Sequence, residues 1–159
     1  YDSGVCQYPL SSKLNIVFHK TDRKVDSFIT NYIRGFVPFN KFQLAIIRQY
    51  EAECAEYIET VPVFRGLMEY GETKLKVQAV FADNFIGECL THTLERPGVD
   101  LAICVILSTK RVCLRTNKDT IDCSTLAASL CEGGGHQKAA GGSITDKFLK
   151  FTETMFQVN

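Results

Sequence analysis

From Val25 to Phe36 the apolar residues fall at Val25, Phe28, Ile29, Tyr32, Ile33 and Phe36. This three-and-four spacing predicts one face of a helix, with Asp22 or Asp26 as its cap. Pro38 and Asn40 interrupt the pattern. A second helix is predicted from Lys41 to Ile58, with Phe42, Ala45, Ile46, Tyr50, Cys54, Tyr57 and Ile58 as its apolar stripe. Glu51, Glu53, Glu56 and Glu59 form its solvated face. Ahead of both, Leu14 to Phe18 reads as a short strand.

Beyond Thr60 the period shortens. Val63 to Tyr70 and Leu75 to Phe81 read as strands joined by a turn at Gly71 to Lys74. A helix follows to Glu95, capped by Asp83 or Asn84, with Ile86, Leu90 and Leu94 on one face and Pro97-Gly98 ending it. Leu101 to Leu107 is nearly continuous in apolar residues, as suits a central strand buried on both faces. Val112 to Thr116 returns as its hairpin partner. Asp122 or Ser124 opens a short helix ending near Leu130, and Gly133 to Gly142 reads as a glycine-rich loop. Ile144 adds a brief strand. Asp146 to Phe156 is the last helix, with Phe148, Leu149, Met155 and Phe156 inward. The pattern predicts an α/β fold, a mixed β-sheet flanked by helices, over residues 61–159. A helical linker occupies residues 1–60.

Composition narrows the function. Hydrophobic residues are 45% of the 159 and charged residues 23%, enough for a core and a solvated surface. The formal net charge of zero argues against a coat gripping many phosphates, though not against a pocket for one or two. No apolar run reaches the roughly 20 residues that span a bilayer. The seven cysteines include no C-x-x-C pair, and several sit in apolar runs, which reads as reduced, cytoplasmic thiols. The chain begins Tyr1-Asp2-Ser3 without Met, which reads as a fragment of a longer polypeptide.

The segment Gly133-Gly134-Gly135-His136-Gln137-Lys138-Ala139-Ala140-Gly141-Gly142 stands out. So little side-chain bulk lets backbone approach a ligand closely and gather N–H groups around an anion. His136 can donate to a phosphate oxygen and Lys138 adds a point charge. A glycine-rich turn with no ligand is the plainer alternative, but three consecutive glycines cost conformational entropy. Arg115 can hold a phosphate or carboxylate through two parallel hydrogen bonds; alone it also reads as a surface residue. Asp83 reads most simply as a cap. His19, His92 and His136 are the three histidines, and no D-x-D, H-E-x-x-H, H-x-H or Asp-His-His motif accompanies them. No metal-ligating cluster and no catalytic residue is therefore assigned.

Five segments in order carry a resemblance: Val80 to Glu88, Asp100 to Ile103, Leu114 to Thr116, Ile121 to Ala127 and Gly133 to Gly142. Together, over about Val61 to Ile144, they resemble the C-terminal DHHA-type domain of the DHH phosphoesterase superfamily, which includes oligoribonucleases, cyclic-dinucleotide phosphodiesterases, pAp phosphatases and RecJ-type exonucleases. The G-G-G-H-x-x-A-A-G core is the specific part. Residues 1–60 resemble the connector that follows the DHH domain in oligoribonuclease-like members.

The resemblance implies a substrate-binding domain for a hydrolase of phosphodiester bonds in short oligonucleotides or dinucleotides. Divalent metal, Mn or Mg, would sit in a DHH catalytic domain of the same polypeptide and not on this chain. Arg115 and Thr116 would hold a nucleotide phosphate or terminal group. Gly133, Gly134, Gly135 and His136 would contact the phosphate at the reacting end, with Lys138 nearby. The implied partners are short RNA, DNA or a nucleotide, with no membrane; a homodimer is compatible. Thr116 departs from the Ser often found after the Arg. Without metal motifs the chain alone should be inactive. Two other readings stand beside this one: a non-catalytic nucleic-acid-binding module like the C-terminal domain of alanyl-tRNA synthetase, and a remnant that has lost its ligand.

Overall fold

A computed structural model describes residues 9–21 and 23–155, which divide into two compact units within helix α3 (Lys41–Thr60), between Tyr57 and Ile58. The first unit is helical. Its α1 (Pro9–Lys20) replaces the short strand expected at Leu14 to Phe18. The run of Leu14, Ile16, Val17 and Phe18 was too short to separate strand from helix by period alone; Val17 is the buried residue of this helix. Helix α2 (Val25–Tyr32) starts from Lys24, which gives no side-chain cap, so Asp26 lies in the first turn instead of capping; Asp22 is outside the described residues. Helix α3 opens with a reciprocal box in which the Gln43 N–H donates to Asn40 Oδ1 at 2.9 Å and the Asn40 N–H donates to Gln43 Oε1 at 3.0 Å. Ile47 and Cys54 are its buried residues, whereas Phe42, expected on the inner stripe, is 68% exposed.

The second unit is a six-stranded sheet in the order β1-β2-β3-β4-β6-β5. Strands β1 (Val63–Tyr70) and β2 (Thr73–Phe81) form a hairpin, as do β3 (Leu101–Ile106) and β4 (Arg111–Arg115). Between them α4 (Ile86–Glu95) carries the chain across, and β2 runs parallel to β3. Helix α5 (Cys123–Cys131), strands β5 (Gly134–His136) and β6 (Ala139–Ser143) and helix α6 (Asp146–Met155) complete it. This is the mixed sheet flanked by helices that the residue pattern predicts.

Alternation sets the two faces of the sheet. Val77, Ala79, Leu101, Ile103, Val105, Val112 and Leu114 point to one face, where they form the main core with Leu126, Cys131, Phe148 and Met155 of α5 and α6. Ala102 and Cys104 point to the other, so β3 is buried on both faces as its apolar run implies. Helix α4 packs there against β2, β3 and β4.

Three local expectations change. Asp83 does not cap α4, whose N-cap is Phe85 in the left-handed region with no side-chain bond; Asp83 Oδ1 instead accepts the Ser108 N–H at 3.0 Å. Leu149, expected inward on α6, is 48% exposed, and Phe156 is outside the described residues. The sheet ends at Ser143, with the Ile144 N–H donating to Lys110 O at 2.9 Å. Asp122 caps α5 as expected, accepting from the N–H groups of Ser124 and Thr125. Among the described residues no helix is long and apolar enough to cross a membrane.

Candidate functional site

The glycine-rich segment is a hairpin, not a loop. Gly134 to His136 pairs with Ala139 to Gly141, and Ala139 to Ser143 pairs in turn with β4. Strand β6 is therefore flanked by ladders on both sides, and its backbone groups are largely committed to them. The multi-amide anion cradle expected here reduces to β5, whose edge position leaves alternate N–H groups outside the ladder.

One register row crosses all six strands. It aligns Arg65, Gln78, Ala102, Arg115, Ala139 and His136. Aligned residues point to the same face, so Arg115 and His136 emerge together, two strands or about 10 Å apart. Helix α4 covers this face at β2 to β4, and α5 packs on the opposite face at β5 and β6. Beside α4 this leaves a shelf whose floor is Gly134, Ala139 and Gly141, with His136 on its outer side and Arg115 on its inner side. The floor carries a single methyl group.

Arg115 is half-buried. Its Nη1 makes two long contacts, 3.4 Å to Gly87 O and 3.4 Å to Thr91 Oγ1, which lean the guanidinium against α4. Nε and Nη2 make no hydrogen bond among the described residues, so a planar fork is still available to an anion. His136 is exposed, and its side chain has no hydrogen bond or ion pair among the described residues.

Thr116 is placed differently. It is 3% exposed, its Oγ1 donates to Asp100 O at 2.6 Å, and it accepts the Lys118 N–H at 3.1 Å. Its hydroxyl is spent inside the fold. Lys138 sits in the β5–β6 turn with Nζ 2.6 Å from Asp119 Oδ1. The hydrogen bond and the charge of Lys138 hold the Asp119 carboxyl below its ordinary value.

The glycines divide by what a Cβ would meet. At Gly133 it would strike the backbone of Gly141 and Gly142, at Gly135 that of Ala139 and Ala140, and at Gly142 that of Cys131. Gly135 also has φ +150°. Those three, and Gly141, where a Cβ would lie 2.6 Å from Val112 O, are required by close packing of β4, β5, β6 and α5. Gly134 differs: a Cβ there meets nothing within 4 Å. It lies on the shelf side of the hairpin, in step with His136.

The thiols near the sheet are poor nucleophiles. Burial pushes Cys104 and Cys123 up to about 12 and Cys131 to about 11. Cys113, beside the shelf on β4, is also raised by burial, against the lowering effect of Arg111 and Arg115. Among the described residues no group of three or more His, Cys, Asp or Glu side chains could hold a metal ion.

Sequence reasoning missed Arg65, Lys76, Gln78 and Arg96, which share this face on the far side of α4. The alternation Leu75-Lys76-Val77-Gln78-Ala79 was the available signal, since it puts Lys76 and Gln78 on one face of an otherwise apolar strand.

No protein-family model matches the chain. Over 66 residues it is 39% identical to the oligoribonuclease NrnB of Bacillus subtilis, a match that covers 41% of this chain and 16% of that protein. Among solved structures it is similar to an exopolyphosphatase-related protein from Bacteroides fragilis, at 12% identity over 91% of this chain and 46% of the other, with a TM-score of 0.46. An uncharacterized protein from Helicobacter pylori G27 matches at 18% identity over 92% and 38%, with a TM-score of 0.44. The pGpG-specific phosphodiesterase PggH from Vibrio cholerae matches at 14% identity over 96% and 51%, with a TM-score of 0.42. The chain thus spans about half or less of each of these proteins.

Proposed function

We propose that the second unit is the substrate-holding domain of a DHH-type phosphoesterase that acts on short oligonucleotides or dinucleotides. The observation that carries this reading is the shelf, where one register row brings Arg115 and His136 to the same face across a floor almost free of side chains. The 39% identity to an oligoribonuclease over 66 residues supports the substrate class.

The chemistry assigned to this chain is binding and orientation. A phosphate resting on Ala139 and Gly134 accepts two parallel N–H bonds from Arg115 and one from His136. The bulk-free floor lets the phosphate approach the backbone of β5. Thr116 acts as a positioning residue, tying the end of β4 to Asp100 so that the Arg115 backbone is fixed. Lys138 lies in the β5–β6 turn next to His136, with its ammonium paired to Asp119, and would act on a bound phosphate only at longer range. Hydrolysis would need a metal-activated water, which the DHH catalytic domain would provide.

The test is a titration of the chain with a 5′-phosphorylated dinucleotide, followed by amide shifts. Gly134 and His136 should shift, and Arg115→Ala or His136→Ala should each weaken binding by about tenfold or more, as expected for loss of a charged hydrogen bond of roughly 1.5–3 kcal/mol. Unchanged affinity in both variants overturns the assignment. Turnover of the dinucleotide by this chain alone, with Mn²⁺ present, overturns the claim that chemistry belongs to another domain.

A further inference from the structure

On the same face of the sheet, across α4 from the shelf, lies a cavity of about 580 Å³ lined by residues that include Arg65, Leu67, Lys76, Gln78, Arg96 and Gly98. Strands β1 and β2 supply its floor, because Arg65 pairs with Gln78 and Leu67 with Lys76. The C-terminal end of α4 and the Pro97-Gly98 turn supply its wall. Gly98 has φ +80°, and a Cβ there would lie 3.7 Å from Lys76 Nζ, so the ammonium lies beside this turn.

Two independent features mark this cavity as made for an anion. Arg65, Lys76 and Arg96 all line it, no Asp or Glu does, and none of the three forms a salt bridge among the described residues. Gln78 is 2% exposed, and its Nε2 is a buried donor with no hydrogen-bond partner among the described residues. An unmet buried donor costs about 1–3 kcal/mol, and a ligand oxygen would offset that cost. The partial negative charge at the C-terminus of α4 opposes an anion; Arg96, its C-cap residue, answers it.

We propose that this cavity is a second phosphate-binding subsite, distinct from the Arg115–His136 shelf. Two guanidinium groups, one ammonium and one amide offer more donors than a carboxylate's two oxygens can use well, and a phosphate has a third oxygen for them. Leu67, Pro97 and Val99 give it an apolar side suited to a sugar or base. Two sources share this chemistry: a strand that also reaches the shelf, and a free nucleotide.

Isotope-labelled chain is titrated with inorganic phosphate, AMP and a five-nucleotide RNA, reading the Gln78 side-chain amide and the Gly98 backbone amide. All three ligands should shift both signals, and Lys76→Gln with Arg96→Gln should weaken inorganic phosphate at least tenfold. Gln78→Leu separates binding from structure: it should raise the urea midpoint, by removing the unmet donor, and still weaken phosphate. His136→Ala assigns the source. If it loosens the RNA at Gly98, one strand joins the two sites; if AMP binds equally well with and without it, the subsite takes a free nucleotide. Shifts that survive the double charge removal, or no shift at Gln78 and Gly98 with any ligand, overturn the proposal whatever happens at His136. A shelf that fails its own test leaves this result readable, because inorganic phosphate at Gly98 requires nothing of Arg115.

Discussion

Gly133 and Gly134 are neighbours of identical chemistry, and the structure assigns them opposite reasons for being glycine. At Gly133 a Cβ would collide with the carbonyl oxygen of Gly141, and it would stand 2.6 Å from Gly142 Cα. These are backbone atoms in a paired strand and cannot swing aside. Gly133→Ala should therefore destabilise by about 1–3 kcal/mol, the usual cost of overpacking. At Gly134 nothing lies within 4 Å and φ is not positive. Gly134→Ala should stabilise by about 0.4–1 kcal/mol, because the unfolded chain loses freedom that the strand does not use. Gly134→Val should also fold well, since β-branched residues suit strands. Its side chain would rise from the shelf floor in step with His136, where the proposed phosphate would rest. Urea denaturation and dinucleotide titration on the three variants check this. The expected pattern is a lowered midpoint for Gly133→Ala, and for Gly134→Val an unchanged or raised midpoint with binding at least tenfold weaker. Gly134→Val binding as wild type does would show that the ligand sits elsewhere. Gly133→Ala as stable as wild type would show that close packing does not explain that glycine.

The remaining expectations concern a cap, the thiols and one exposed carboxylate. Asp122→Ala removes the acceptor for two N–H groups at the start of α5 and should lower stability by about 0.5–2 kcal/mol, read as a shift in urea midpoint. Cys104, Cys123 and Cys131, pushed to about 12, 12 and 11 by burial, should resist iodoacetamide at pH 8 and react once urea unfolds the chain, as mass spectrometry of the alkylated protein will show; rapid labelling of the folded protein refutes it. The Asp119 carboxyl should titrate below the ordinary range of an aspartate because of Lys138, and Lys138→Met should return it upward. Because the folded value is depressed, any stability from this pair is present above the unfolded value and is lost as pH falls through the folded one. Its full exposure keeps that contribution small.

Most of the sheet unit was legible because its strands are long or strongly patterned. The run Leu101 to Leu107 could only be a buried strand or a buried helix, and Pro97-Gly98 before it with Ser108-Thr109-Lys110 after it left room for a strand alone. Asp122 was legible as a cap because two backbone N–H groups need its side chain. The failures have physical causes too. Asp83 stands where a cap belongs, but a residue in the left-handed region, Phe85, starts α4 instead, and the Asp83 carboxylate is drawn to a turn 25 residues away. That pairing is tertiary and leaves no local trace. Strands β5 and β6 were invisible because glycine and alanine carry no period: five glycines in ten residues look the same whether they bend or pair.

That ambiguity also bears on what the glycine segment can say about function. An entropic cost of consecutive glycines implies that something compensates, and a ligand is only one candidate. Here the compensation for Gly133, Gly135, Gly141 and Gly142 lies within the fold, where neighbouring backbone comes too close for a Cβ. Their presence would persist in a protein that bound nothing. The functional weight falls instead on features that the fold does not require. Gly134 has open space above it, His136 is exposed and uncommitted, and Arg115 holds α4 through only one of its nitrogens. Packing alone would permit a larger residue at Gly134 and almost any residue at His136. Their shared face, two strands from a guanidinium with a free edge, is what the proposed binding site would add to a hairpin that packing already explains.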